Sequence, residues 1–310
     1  MRLRFRIVKD SISNPLDWIY RHGTPGLQRA VFGSVAVLGK AYYYVPGSHG
    51  RRTARDICRV AGRTDPRQVF SGMMDGLSFA LSTFGRILHD KTGAVADLLS
   101  LDEHAVATFA EVQKTYGACI VVLPHCAASL VSAPGLRRNF NMLLLVRESS
   151  SETRGRYQEE YFGHFGTDLL FVRRTAPATV ARTILGALKD GKFVLALTDR
   201  VAYFKGQDTD EKYDTVRVKI FGQDVMLGAW PARFSLKRQV PIVPGYIRLE
   251  NGRIIGSVAE PYIAKDLISG TQEWVRYFEQ SIRQYPADWP FMLDKRWSKI
   301  IAAAAAAAHR

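Results

Sequence analysis

Residues 117–130 read GACIVVLPHCAASL, and this stretch decides the fold class. Ile120, Val121, Val122 and Leu123 form an apolar run, Pro124 closes it, and His125 stands just beyond. A short apolar run bounded by turn residues reads as a strand buried on both faces, the kind that builds parallel sheets. A strand that delivers an imidazole to a turn places it at the sheet edge, where a general base can act. The surroundings give that ring no partner, because no Asp or Glu occurs between Val112 and Arg147, while Lys114, Arg137, Arg138 and Arg147 do. A carboxylate that orients His125 would have to come from elsewhere in the chain.

Outward from this stretch, similar runs recur at Met142–Val146, Leu169–Val172, Val194–Leu197 and Pro241–Tyr246. Helical patterns at Glu152–Phe165, Pro177–Leu188 and Leu227–Lys237 alternate with them. Alternation of strand and helix predicts an α/β fold with a mostly parallel or mixed central sheet flanked by helices. Ile247–Val258 centres on Asn251-Gly252, the pair that suits a type I′ hairpin turn. The first hundred residues read as helical instead, at Leu27–Tyr44, Thr53–Ala61 and Pro66–His89, without an alternating strand pattern. The expected organisation is a helical, membrane-associating region over 1–100, an α/β domain over 101–298 and an Ala-rich tail over 299–310. The tail's seven consecutive alanines, Ala302 to Ala308, stay outside the functional reading.

In 310 residues, 43 Lys and Arg stand against 29 Asp and Glu, a formal net charge of +14 that calls for an acidic partner. The basic residues come in scattered pairs, Arg51-Arg52, Arg137-Arg138 and Arg173-Arg174, without zinc spacing, an aromatic RNA platform or a long basic block. Nucleic acid is therefore not the expected partner. An anionic membrane surface or a phosphate-bearing substrate fits better. Cys58, Cys119 and Cys126 are odd in number and lack paired spacing, which argues against a disulfide framework and points to a reducing compartment.

The N-terminus alternates basic and apolar residues from Arg2 to Lys9, unlike a secretion signal. Ala30–Val45 is the longest apolar stretch, but Lys40 interrupts it and it is too short to span a bilayer. With Tyr42, Tyr43 and Tyr44 it reads either as an interfacial anchor or as a core helix behind a solvated basic lead-in. The polar loop Lys205–Asp214 carries Asp208, Asp210, Glu211 and Asp214, whose spacing does not match a calcium loop, so neither a metal nor a cofactor is expected.

The order of segments from Gly117 onward resembles the lipid A biosynthesis (late) acyltransferase family, part of the lysophospholipid acyltransferase-like superfamily. The resemblance is carried by Gly117–His125, by Leu143–Arg147, by Phe171-Val172-Arg173-Arg174 and by Gly191–Arg200 with Asp199 at its end. Lys219-Ile220-Phe221-Gly222, Trp230-Pro231-Ala232-Arg233, Val240–Pro244, Pro286-Ala287-Asp288-Trp289 and Arg296-Trp297 extend it over roughly residues 25–298. It implies passage of a fatty acyl chain from acyl carrier protein or CoA to a hydroxyl or amine of an anionic membrane lipid or glycolipid. It also implies a peripheral protein on the cytoplasmic face of the inner membrane. In the family's motif the histidine is followed, after four residues, by Asp or Glu; here that position is Leu130.

Acyl transfer to an alcohol needs a base for the hydroxyl proton and donors for the tetrahedral oxyanion. His125 is the candidate base. Its orienting group is then Ser129, four residues on, or Asp199, at another predicted strand end gathered to the same sheet edge. The third possibility is a degenerate site in a lipid-binding or scaffold member. Cys126 offers a covalent route if its thiol is activated. Arg147, Arg173 and Arg174, each after a predicted strand, are the expected contacts for a substrate anion, with Arg200 and Arg233 weaker candidates.

Overall fold

The computed structural model describes residues 15, 18–89, 95–149, 151–202, 209–210 and 214–308. Helix α1 (Pro25–Tyr42) begins at Thr24, whose hydroxyl accepts the Leu27 N–H, with proline in the first turn. Ser48 caps α2 (His49–Ala61) in the same way, and Gly62 ends it in the left-handed conformation. Helix α3 (Pro66–His89) completes the N-terminal layer. A short strand, β1 (Leu99–Leu101), and α4 (Glu103–Tyr116), capped by Asp102, lead to β2 (Cys119–Leu123). After α5 (Ser132–Arg137) come β3 (Met142–Val146), α6 (Glu152–Gly163), β4 (Asp168–Phe171), α7 (Pro177–Lys189) and β5 (Phe193–Leu197). The chain continues through β6 (Thr209–Asp210), β7 (Thr215–Ile220), β8 (Gln223–Gly228) and α8 (Trp230–Arg238). The hairpin β9 (Ile242–Glu250) and β10 (Arg253–Val258), then α9 (Leu267–Gln284) and α10 (Trp297–Ala307), complete the described elements.

Seven strands form one sheet in the order β1-β10-β9-β2-β5-β3-β4. From β9 to β4 every neighbouring pair is parallel. Only β10 runs against β9, and β1 pairs parallel to β10. The sheet is therefore mixed with a parallel core, and β2 is buried along its whole length, as expected of a strand covered on both faces. Because β2, β3, β4 and β5 point the same way, their C-terminal ends share one edge. The residues just after them, His125, Arg147, Arg173 and Asp199, begin from that edge.

The strand runs read from sequence match β2, β3, β4 and β5 to within a residue or two and the start of β9, which runs on to Glu250, whereas β6, β7 and β8 lie outside the runs read as strands. The Asn251-Gly252 turn has φ of 50° and 75°, the paired positive values of a type I′ hairpin. Other expectations need correction. Residues 227–228 end a strand, and the helix expected from Leu227 begins at Trp230. β1 straddles the end of the region read as helical. Its three residues pair only with β10, so no local alternation announces it. Most of the alanine run is the body of α10, and Ala304 and Ala305 are buried. The basic lead-in Arg2–Lys9 and residues 205–208 and 211–213 of the acidic loop lie outside the described residues.

A second, three-stranded antiparallel sheet, β6-β7-β8, lies apart from the first in pairing. Its β7–β8 turn is built on Phe221 and Gly222, with φ of 53° and 73°. A bulky residue in the left-handed region is strained. Here the Phe221 ring is buried and its N–H donates to Glu279 Oε2 at 2.7 Å. Tertiary packing thus holds a conformation that the residue's own preference opposes.

Candidate active site

His125 is delivered by the end of β2, and Asp199 by the end of β5, the neighbouring strand. The Leu123–Leu197 register puts the two side chains two residues beyond a paired rung, so they meet although 74 positions separate them. Asp199 Oδ1 faces His125 Nδ1 in hydrogen-bond contact. Its Oδ2 accepts the His125 main-chain N–H at 3.0 Å. The same aspartate thus grips both the ring and the backbone of the histidine.

This arrangement fixes the ring chemically. A carboxylate can only accept, so in the neutral imidazole Nδ1 carries the proton and Nε2 keeps its lone pair. Phe291 covers one face of the ring, stacked at 4.1 Å with 5° between planes. The His125 side chain is 22% exposed, against 3% for Asp199. The base is thereby reachable from solvent while its orienting acid is not.

Burial of Asp199 by itself would raise its carboxyl. The adjacent His125, with hydrogen bonds from the His125 ring, the Trp289 indole and the His125 N–H, outweighs that and holds it below the ordinary carboxylate range. The indole donor, Trp289 Nε1, lies 2.8 Å from Asp199 Oδ2. A second indole, Trp297 Nε1, donates to the Asp199 carbonyl, also at 2.8 Å.

Ser129 is placed differently. Its hydroxyl donates to the Pro124 carbonyl at 3.0 Å and accepts the Cys126 N–H at 3.1 Å. It braces the turn that follows the strand and makes none of its hydrogen bonds to the imidazole, which corrects its expected orienting role. Cys126 is buried, and desolvation pushes its thiol far above the thiolate-forming range. The covalent route through Cys126 therefore lacks an activated nucleophile.

Arg147, Arg173 and Arg200 gather beside the dyad with Arg296, close enough to act on one another electrostatically. Desolvation, then repulsion from Arg173 and Arg296, lowers Arg147. Desolvation and repulsion from Arg147 and Arg173 lower Arg200. Like charges held together favour binding of an anion, which relieves their repulsion. Buried Glu148 steadies the group by accepting the Arg173 N–H on Oε2 at 3.1 Å, and its carbonyl accepts from Arg173 Nη1 at 3.3 Å. Arg174 pairs with Glu159 of α6 and lies over the Phe171 ring at 4.1 Å. Arg233 is bound to Asp214 at 2.7 Å. These contacts give Arg174 and Arg233 structural roles at the surface.

Phe291, Arg296, Glu148 and the two indoles are the components that sequence reasoning did not assign to the site. Trp289 and Trp297 fall in segments that carried the family resemblance, but nothing in their local pattern tells which residue an indole N–H will meet. Among the described residues no group of three or more His, Cys, Asp or Glu side chains is arranged to hold a metal ion. A scan of the sequence against protein-family models found no match, and a search among curated proteins found none.

Proposed function

We propose that the protein is an acyltransferase in which His125, oriented by Asp199, removes the proton from a hydroxyl or amine as it attacks a fatty acyl thioester. The observation that carries this reading is the contact of Asp199 with both the ring and the main chain of His125. A neutral imidazole with a free ring nitrogen is suited to general-base work, and such catalysis contributes about 10²–10⁴ in rate. The attacking oxygen or nitrogen bonds to the thioester carbonyl carbon, its proton moves to His125 Nε2, and collapse of the tetrahedral adduct expels the thiolate. The proton on His125 then neutralises that leaving group, so the base is restored.

Arg147, Arg173 and Arg200 support an anionic lipid acceptor, or the phosphate of an acyl carrier protein or CoA donor, as the bound species. We place the protein peripherally at the inner face of the plasma membrane, and support for contact with a membrane surface comes from α1. Its outward face exposes Val37 at 66% and Leu38 at 70%, and Tyr42, Tyr44 and Val45 continue the apolar surface. No described helix is long and apolar enough to cross a membrane. The test is transfer of a radiolabelled acyl chain from its carrier or CoA thioester to a panel of anionic lipids. Wild-type turnover that disappears in His125→Ala supports the reading, and transfer by His125→Ala at the wild-type rate overturns it.

A further inference from the structure

Asp199 sits where a carboxylate is costly, and one donor to its side chain comes from the C-terminal segment, far along the chain from the strands that carry the pair. We propose that Trp289 is a positioning residue, whose indole N–H fixes the Asp199 carboxylate in the single rotamer that orients His125. The inference rests on the reading of His125 and Asp199 as an acid–base pair, and adds a third member 90 residues downstream of the acid.

Trp289 lies between two short 3₁₀ segments, Pro286–Asp288 and Pro290–Leu293. It is fully buried and meets Trp297 edge-on at 4.9 Å, with Phe221 at 6.4 Å, so packing holds the indole on those sides. Its neighbours are tied down independently. The Asp288 carbonyl accepts the Ala127 N–H at 2.9 Å, and Asp288 Oδ1 accepts the Leu249 N–H at 3.0 Å. Two residues further on, Phe291 stacks on the imidazole. This segment therefore touches the loop after His125, the acid and the ring itself.

A phenylalanine would fill most of the same volume, so the N–H is what the tryptophan contributes beyond packing. Without it, Asp199 Oδ2 retains only the His125 main-chain donor. A hydrogen bond to a buried charge is among the stronger ones, and its loss disfavours the charged form. The ionisable groups acting on Asp199 are His125 and Cys126 from the β2 turn, Tyr246 from β9 and its own neighbour Arg200. Trp297 is an internal comparison, since its indole meets the Asp199 carbonyl rather than the carboxylate.

The experiment follows the carboxyl ¹³C resonance of Asp199 against pH in the full chain with labelled aspartate, the signal assigned by its absence in Asp199→Asn. In Trp289→Phe the titration midpoint rises by about one pH unit or more, the shift expected for losing a hydrogen bond to a charge. In Trp297→Phe the midpoint stays at the wild-type value although the melting temperature falls. If Trp289→Phe lowers the melting temperature like Trp297→Phe and leaves the midpoint unmoved, Trp289 is a packing residue only and the proposal fails. Should Trp289→Phe not fold, the benzothiophene isostere of tryptophan at position 289 removes the N–H at constant shape and is read by the same criterion. No acyl substrate enters this measurement. A shifted midpoint in a protein without transferase activity would sink the acyltransferase reading and leave this assignment standing.

Discussion

Asp199, at the end of β5, and Asp288, in the C-terminal 3₁₀ segment, are acids of one neighbourhood with opposite behaviour. Asp199 is the more deeply buried, yet its carboxyl is held below the ordinary range by the adjacent His125 and by three N–H donors, those of the imidazole, the Trp289 indole and the His125 main chain. Burial pushes Asp288 up to about 6, against the weaker counter-effects of the Leu249 N–H and Arg248. The difference shows that depth alone does not set the charge state of a carboxyl. The number and charge of the donors that converge on it do. The region around Asp199 is built to keep an anion, and the region around Asp288 tolerates one at a cost.

The comparison breaks most visibly through Asp199→Asn. By analogy with loss of the orienting aspartate in a serine-protease triad, the maximal acyl-transfer rate falls by about 10³–10⁴. Initial-rate kinetics should place that loss in kcat, with KM little changed. Asp288→Asn has the opposite character. The folded carboxyl titrates above the unfolded one, so its protonated form contributes stability in acid, and this is lost as pH rises from the ordinary value of 3.8 through about 6. Asparagine keeps the acceptor for Leu249 and removes the charge. Denaturant unfolding should then show Asp288→Asn more stable than wild type at pH 8, by up to about 3 kcal/mol, with the gain vanishing near pH 4.

Two smaller effects sharpen the picture. Arg147→Ala removes one cation of the cluster beside the dyad, and KM for an anionic acceptor should rise about 10-fold, less so in high salt. A KM unchanged at low salt would remove Arg147 from the binding role. Leu38→Glu alters the exposed face of α1, remote in sequence from either acid. In a sedimentation assay, binding to vesicles containing anionic phospholipid should weaken several-fold, the order expected for withdrawing one leucine from an apolar surface. Transfer to a detergent-dispersed acceptor should be unaffected.

The strands that bring the site together were legible because each is a short apolar run ended by turn residues, and their parallel alternation implied a shared edge. That was enough to list Asp199 among the groups able to reach His125. It was not enough to choose it over Ser129. A position four residues away looks like a neighbour only if the turn is helical, and the Ser129 hydroxyl instead satisfies the backbone of the turn. The C-terminal contributions were the least legible. Phe291 and Trp289 reach the site through irregular 3₁₀ segments that have no periodicity to read. The Phe221 turn is similar in kind, because its left-handed phenylalanine is set by Glu279 and burial against residues far along the chain.

The pairing of His125 with Asp199 is tested most directly by the ¹⁵N resonances of the His125 ring, at a pH where the ring is neutral, in wild type and in Asp199→Asn. In wild type, Nδ1 should be protonated and Nε2 bare, and in Asp199→Asn that preference should be lost. A wild-type ring protonated on Nε2, or a tautomer untouched by Asp199→Asn, would contradict the assignment of His125 as a base oriented by Asp199.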